Sequence, residues 1–67
     1  MRDWMRKRRE ELNLTAGEVA KWLEITQPYY SMIENGIKQK KMDLVVAEKL
    51  SGIFKMPIED IVKAEMQ

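Results

Sequence analysis

Neither cysteine nor histidine occurs in this chain of 67 residues. Without cysteine there are no disulfide staples and no thiolate zinc sites. Without histidine the usual proton carrier near neutral pH and the commonest metal ligand are missing. There is no glycine-rich phosphate loop and no pair of carboxylates in a plausible pocket, so an enzyme is the weakest of the functional readings. Long apolar runs are missing as well. The longest, Leu44 to Ala47, is far short of the roughly 20 residues a membrane span needs. No apolar stretch follows Arg2 and the basic run Arg6, Lys7, Arg8, Arg9, which excludes a secretory signal and makes the cytoplasm the expected location. No metal, cofactor, small-molecule ligand or membrane partner is expected.

What is present is helical. Apolar and polar residues never alternate long enough for a strand, and there is no internal repeat. The length suits one small domain over residues 1–67, of a size that buries only about 60% of the surface its unfolded chain exposes. Net charge is +1, but charge is sorted along the chain. Residues 1–10 carry five basic and two acidic side chains, Lys38–Lys41 three basic and none acidic, and residues 43–67 three basic against five acidic.

The pattern predicts five helices. The first runs from Arg2 to Glu11, with Met1, Trp4 or Met5, and Leu12 inward. The second opens at Thr15, where Glu18 three residues on completes a capping box and Leu14 can staple onto Val19. Its inward residues are Val19, Ala20 and Leu23. The third has Thr26 as N-cap, Pro28 in the first turn, and a stop at Asn35-Gly36, with Gly36 free to turn left-handed. The fourth starts near Asp43 and turns Leu44, Ala47, Leu50, Ser51 and Phe54 inward. The fifth follows Pro57, with Ile58, Ile61 and Val62 inward. The segment Gly36–Met42 is the only real loop, basic and expected to be mobile. The six methionines are mostly core filling, although Met56 and Met66 could serve a dimer interface. Trp22 is expected to pack locally along Lys21 and Glu18 rather than to mark a protein contact.

Two short capped helices joined by a tight turn at Glu24 form a helix-turn-helix arrangement. At about 100° per residue, Tyr30 and Ile33 define the buried side of the third helix. Pro28, Ser31 and Met32 lie opposite, with Gln27 and Tyr29 flanking them. That face is uncharged: an amide, an aromatic hydroxyl, a small hydroxyl and a thioether. Such groups suit base edges and thymine methyls on a groove floor. A merely solvated face would favour lysine and glutamate.

The stretch LTAGEVAKWLEITQPYYSMIENG, Leu14 to Gly36, resembles the phage-repressor/Cro family of helix-turn-helix DNA-binding domains. The match is good over Arg9–Gly36 and looser over Leu44–Val62. The resemblance implies an all-α, compact five-helix bundle of the lambda-repressor-like type. It implies a homodimer on a near-palindromic double-stranded operator, with the third helix in the major groove. By position, Gln27, Pro28, Tyr29 and Met32 would read bases. Thr15, Ala16, Asn35, Lys38 and Lys40 would meet phosphate, with Tyr29 a further phosphate candidate. Arg9 and Glu34 match a structural ion pair of the family.

The sequence departs from that family in places. Ala16 stands where a glutamine usually buttresses the reading helix. Glu24 replaces the usual turn glycine, at a strain of roughly 1 kcal/mol if the backbone there is left-handed. The loop before the fourth helix is two residues longer and lacks its proline, so Lys38–Lys41 stand in a segment that departs from the family pattern. The reading that results is a transcriptional repressor acting as a dimer, its control coming from concentration, proteolysis or a partner protein. The alternative is a protein-binding, antitoxin-like or adaptor module on the same fold. A dimer contact through Ile58, Val62 and Met66 is expected.

Overall fold

The computed structural model describes residues 1–67 as five helices and no strand. These are α1 (Asp3–Glu11), α2 (Ala16–Leu23), α3 (Gln27–Glu34), α4 (Leu44–Phe54) and α5 (Ile58–Glu65). Three of the five helix starts are capped by a local side chain. The Thr15 hydroxyl accepts from the Glu18 N–H at 3.1 Å while the Glu18 carboxylate accepts from the Thr15 N–H at 2.9 Å, so the capping box starts α2. Thr26 caps α3 by accepting from the Tyr29 N–H, and Asp43 caps α4 by accepting from the Val46 N–H at 2.8 Å.

Helix ends are set by left-handed residues. Asn13, Glu24, Gly36 and Lys55 all have positive φ just past a helix. At Glu24 the chain closes with Glu24 N–H donating to Lys21 O and Ile25 N–H to Ala20 O. The same double closure recurs at Gly36, with Gly36 N–H to Ile33 O and Ile37 N–H to Met32 O. Only at Gly36 does a glycine take the strain. Glu24 therefore opens the turn between α2 and α3 in the left-handed region, at φ 61°.

One apolar cluster joins the five helices. Met5 of α1, Val19 of α2, Tyr30 and Ile33 of α3, Leu50 and Phe54 of α4, and Ile61 of α5 are all fully buried. Trp4 meets Phe54 edge to face at 6.2 Å, a geometry that aromatic pairs favour. Three residues expected inward are not. Met1, Leu44 and Val62 are exposed. Met1 precedes α1, Leu44 opens the first turn of α4, and Val62 lies one residue beyond the buried Ile61. Trp22 is 66% exposed, which does not match side-on packing against its own helix.

The loop after α3 is tied by hydrogen bonds to the start of α1 and to the start of α4. The carbonyls of Lys38 and Gln39 accept from the Arg2 guanidinium, and Gln39 Oε1 accepts from the Asp43 N–H at 2.9 Å.

Glu24→Gly removes a β-carbon from a left-handed site and is expected to stabilise the fold by up to about 1 kcal/mol, a rise in melting temperature of roughly 4–8 °C for a domain this small. Thermal unfolding followed by circular dichroism measures it; an unchanged or lower midpoint contradicts strain at Glu24.

Candidate nucleic-acid interface

The α2–turn–α3 unit determines what α3 presents. Tyr30, Ile33 and Glu34 face inward. Gln27 and Pro28 are exposed, Met32 is 38% exposed, and Tyr29 and Ser31 are half-buried. The N-terminal two turns of α3 thus form a protruding uncharged ridge. Met32 gains nothing by exposure in a monomer, because an open thioether leaves apolar area in water.

Gln27 does not extend freely into solvent. Its amide lies back across the first turn of α2, where a β-carbon on Gly17 would stand 3.3 Å from Gln27 Oε1. The small pair Ala16-Gly17 leaves room for it. The Gln27 amide thus rests beside the small residues that open α2. Gly17 was missed by the sequence reading; the only available signal was a glycine in the first turn of a helix, where alanine would be more stable by about 1 kcal/mol.

At the start of α2, Thr15 is exposed and Ala16 half-buried. The Thr15 N–H is committed to Glu18. What remains for an incoming anion is the Thr15 hydroxyl proton and the Ala16 and Gly17 N–H groups, helix-start donors that have no partner inside the helix. Asn35 and Lys38 are exposed beyond the C-terminal end of α3. Lys40 is exposed too, but it borders a groove with Met1, Arg2 and Glu65 on the α5 side. The interface candidates therefore separate into three zones: the ridge of Gln27, Pro28, Tyr29 and Met32, the α2 start, and the segment after α3, with Lys40 at its outer edge.

Beneath the ridge, Arg9 grips Glu34 with two parallel hydrogen bonds, Nε to Oε2 at 3.1 Å and Nη2 to Oε1 at 3.2 Å. Arg9 Nη1 also donates to Leu14 O at 3.1 Å. One guanidinium thus ties α1, the link before α2, and the last turn of α3. The hydrogen bond to Glu34 raises the Arg9 pKa further above its usual range and outweighs the cost of its burial. The Tyr30 hydroxyl ends beside this pair, buried and without a hydrogen bond of its own. Burial, reinforced by the neighbouring Glu34 carboxylate, holds that phenol well above its ordinary range.

Two further arginines of α1 do related work that the sequence reading did not anticipate. Arg8 Nε donates to Phe54 O at 2.9 Å and so caps the C-terminal end of α4. Arg2 donates to Ile33 O, Lys38 O and Gln39 O, and its Nε bridges both oxygens of Glu65. Much of the basic front of the chain is therefore spent inside the protein rather than offered to a partner. No three acidic, cysteine or histidine groups come together as metal ligands.

A protruding, uncharged second helix of a capped pair, braced from behind by an arginine fork, defines a helix-turn-helix protein. The chain belongs to the Cro/C1-type helix-turn-helix family, whose model matches residues 5–61 and which is a family of DNA-binding transcription regulators. It is 44% identical over 50 residues to an uncharacterized HTH-type transcriptional regulator, YqaF, of Bacillus subtilis (strain 168). That alignment takes in 75% of this chain and 63% of the relative, so the chain matches somewhat less than two thirds of the relative's length. No solved structure matches significantly.

Alkaline stability tests the geometry around Tyr30. The unfolded chain loses the phenol proton near pH 10, whereas the folded chain keeps it. Ionisation therefore favours unfolding, and the stability this group contributes is intact below about pH 10 and falls above it by up to about 1.4 kcal/mol per pH unit. Tyr30→Phe is expected to flatten that decline. At pH 7 it is expected to leave stability within about 1 kcal/mol of the parent, because no hydrogen bond is lost. Urea unfolding of both proteins at pH 7, 9.5 and 11 checks this; parallel declines would contradict it.

Proposed function

We propose that this protein is a sequence-specific transcriptional repressor that binds a near-palindromic double-stranded DNA operator as a homodimer. Each protomer lays α3 in the major groove, with Gln27, Pro28, Tyr29 and Met32 on base edges. The exposed, charge-free ridge at the start of α3 carries this reading. An amide there can bond a base edge in two places, and Pro28 and Met32 offer apolar contact to thymine methyls. Thr15 and Ala16 on one side, and Asn35 and Lys38 on the other, take phosphate, with Lys40 as the outermost contact. Tyr29, half-buried at the ridge edge, can turn its hydroxyl to either.

Two copies of α3 reach successive major grooves when they stand about 34 Å apart. The exposed side chains of Val62 and Met66, beside Met42 and Ile61 along a groove on α5, are the surface through which two protomers meet, together with the half-buried Ile58 one turn earlier in α5. Repression follows from occupancy: a dimer seated on the operator blocks polymerase. No helix is long and apolar enough to cross a membrane, and the proposed site of action is the cytoplasm. A second reading is favoured by one observation. Trp22 is two-thirds exposed on α2, and a protein partner could cover it, as an adaptor or antitoxin-like role requires.

Selection of bound sites from a random duplex library, followed by salt titration, tests the proposal. Log affinity should fall by about 0.9 per phosphate contact for each unit of log salt. Gln27→Ala is expected to cost about 1–3 kcal/mol on the selected site and relax preference at one position of each half-site. Lys38→Ala should weaken every sequence alike and reduce the slope by about 1 per subunit. Site selection unaffected by Gln27→Ala would remove α3 from the groove; a flat slope with no preferred sequence would favour the protein-binding reading.

A further inference from the structure

Arg2 is only 8% exposed, although it stands at the very start of α1. Its Nη1 donates to Ile33 O at 2.5 Å and to Lys38 O at 3.1 Å, and its Nη2 donates to Gln39 O. Its Nε donates to the two oxygens of Glu65 at 3.0 and 2.8 Å, and its backbone N–H donates to Glu34 O at 2.7 Å. Glu65 is itself held, because Trp4 Nε1 donates to Oε2 at 2.8 Å. Gln39 adopts a left-handed backbone, φ 55°, while its side chain accepts from the N–H that precedes α4. One guanidinium therefore occupies a cradle of three carbonyls, two of them in the loop after α3. It sits at the C-terminal end of α3, where a cation is favoured by the helix dipole.

We propose that Arg2 is a positioning residue for phosphate contact. By gathering Ile33 O, Lys38 O and Gln39 O around one planar cation, and being anchored in turn by Glu65, it fixes where the segment Asn35–Lys38 stands relative to the reading ridge. The inference rests on the DNA-binding function proposed above and adds to it the device that sets the distance between base contact and backbone contact. A planar, five-donor guanidinium is suited to this; an ammonium on the same stem cannot reach three carbonyls and a carboxylate at once. Arg2 does not itself serve as a phosphate ligand, because its nitrogens are turned inward onto these acceptors.

The sign of the effect on binding gives a clean test. Glu65→Gln removes a negative charge, so electrostatics alone would tighten binding to any DNA. Loss of the Arg2 anchor predicts the opposite. Salt titrations of the full chain on its selected operator and on random duplex should show that Glu65→Gln weakens both and flattens the slope by up to about 0.9 for each phosphate contact disengaged. Arg2→Lys, which keeps the charge, should do the same. Circular dichroism well below the melting temperature confirms that each variant is folded at the temperature of measurement, so a lower melting point alone cannot produce the flattened slope. Unchanged or tighter binding by folded Glu65→Gln and Arg2→Lys, with a steep slope in the parent, overturns the positioning role alone. A flat slope and no sequence preference in the parent overturns the DNA-binding reading, and the positioning role with it.

Discussion

The fork between Arg9 and Glu34 is the constraint on which the rest of the molecule depends. A chain of this size has little apolar area to spend, and its marginal core cannot by itself fix the angle of an eight-residue helix. Two parallel charge-assisted hydrogen bonds can, because they define a plane as well as a distance. The cost of burying both ions is offset by that geometry and by the third bond to Leu14 O. Removing either partner would strand the other beside the buried Tyr30 hydroxyl. The same device recurs along α1, where Arg8 closes the end of α4 and Arg2 the end of α3. Guanidinium groups thus take up carbonyls at two helix ends, one of which Gly36 also closes.

That bracing explains why α3 can leave Gln27, Pro28 and Met32 outside. A helix normally turns its apolar groups inward for stability. Here Tyr30 and Ile33 provide that, while the arginine fork holds the last turn. The outward face is then free to carry groups chosen for contact. The ridge, the α2 start and the segment after α3 are joined by one set of caps and closures.

Much of this was legible in the residues. Capping rules are local, so the starts of α2, α3 and α4 could be read from Thr15, Thr26 and Asp43. The buried stripe of α3 followed from the spacing of Tyr30 and Ile33, and the helix-turn-helix family from the stretch between Leu14 and Gly36. The misses have physical causes. Met1, Leu44 and Val62 are as apolar as the core residues near them, and only the crowding of five helices decides which of two neighbours goes in. The ties of the loop after α3 were not legible because their partner, Arg2, lies more than thirty residues away in sequence. Trp22 carried no periodic signal that could place it.

Sequence by itself determined where helices begin and end, which side of α3 is hydrophobic, and what chemistry its other side offers, because all of these depend on residues within one or two turns of each other. Tertiary structure alone decided the fate of the basic groups. Arg2, Arg6, Lys7, Arg8 and Arg9 read as one positive cluster, yet three of them are turned onto carbonyls and carboxylates from α3, α4 and α5. Whether a charge faces solvent or the interior depends on acceptors that only folding brings within reach, and no short-range pattern encodes them.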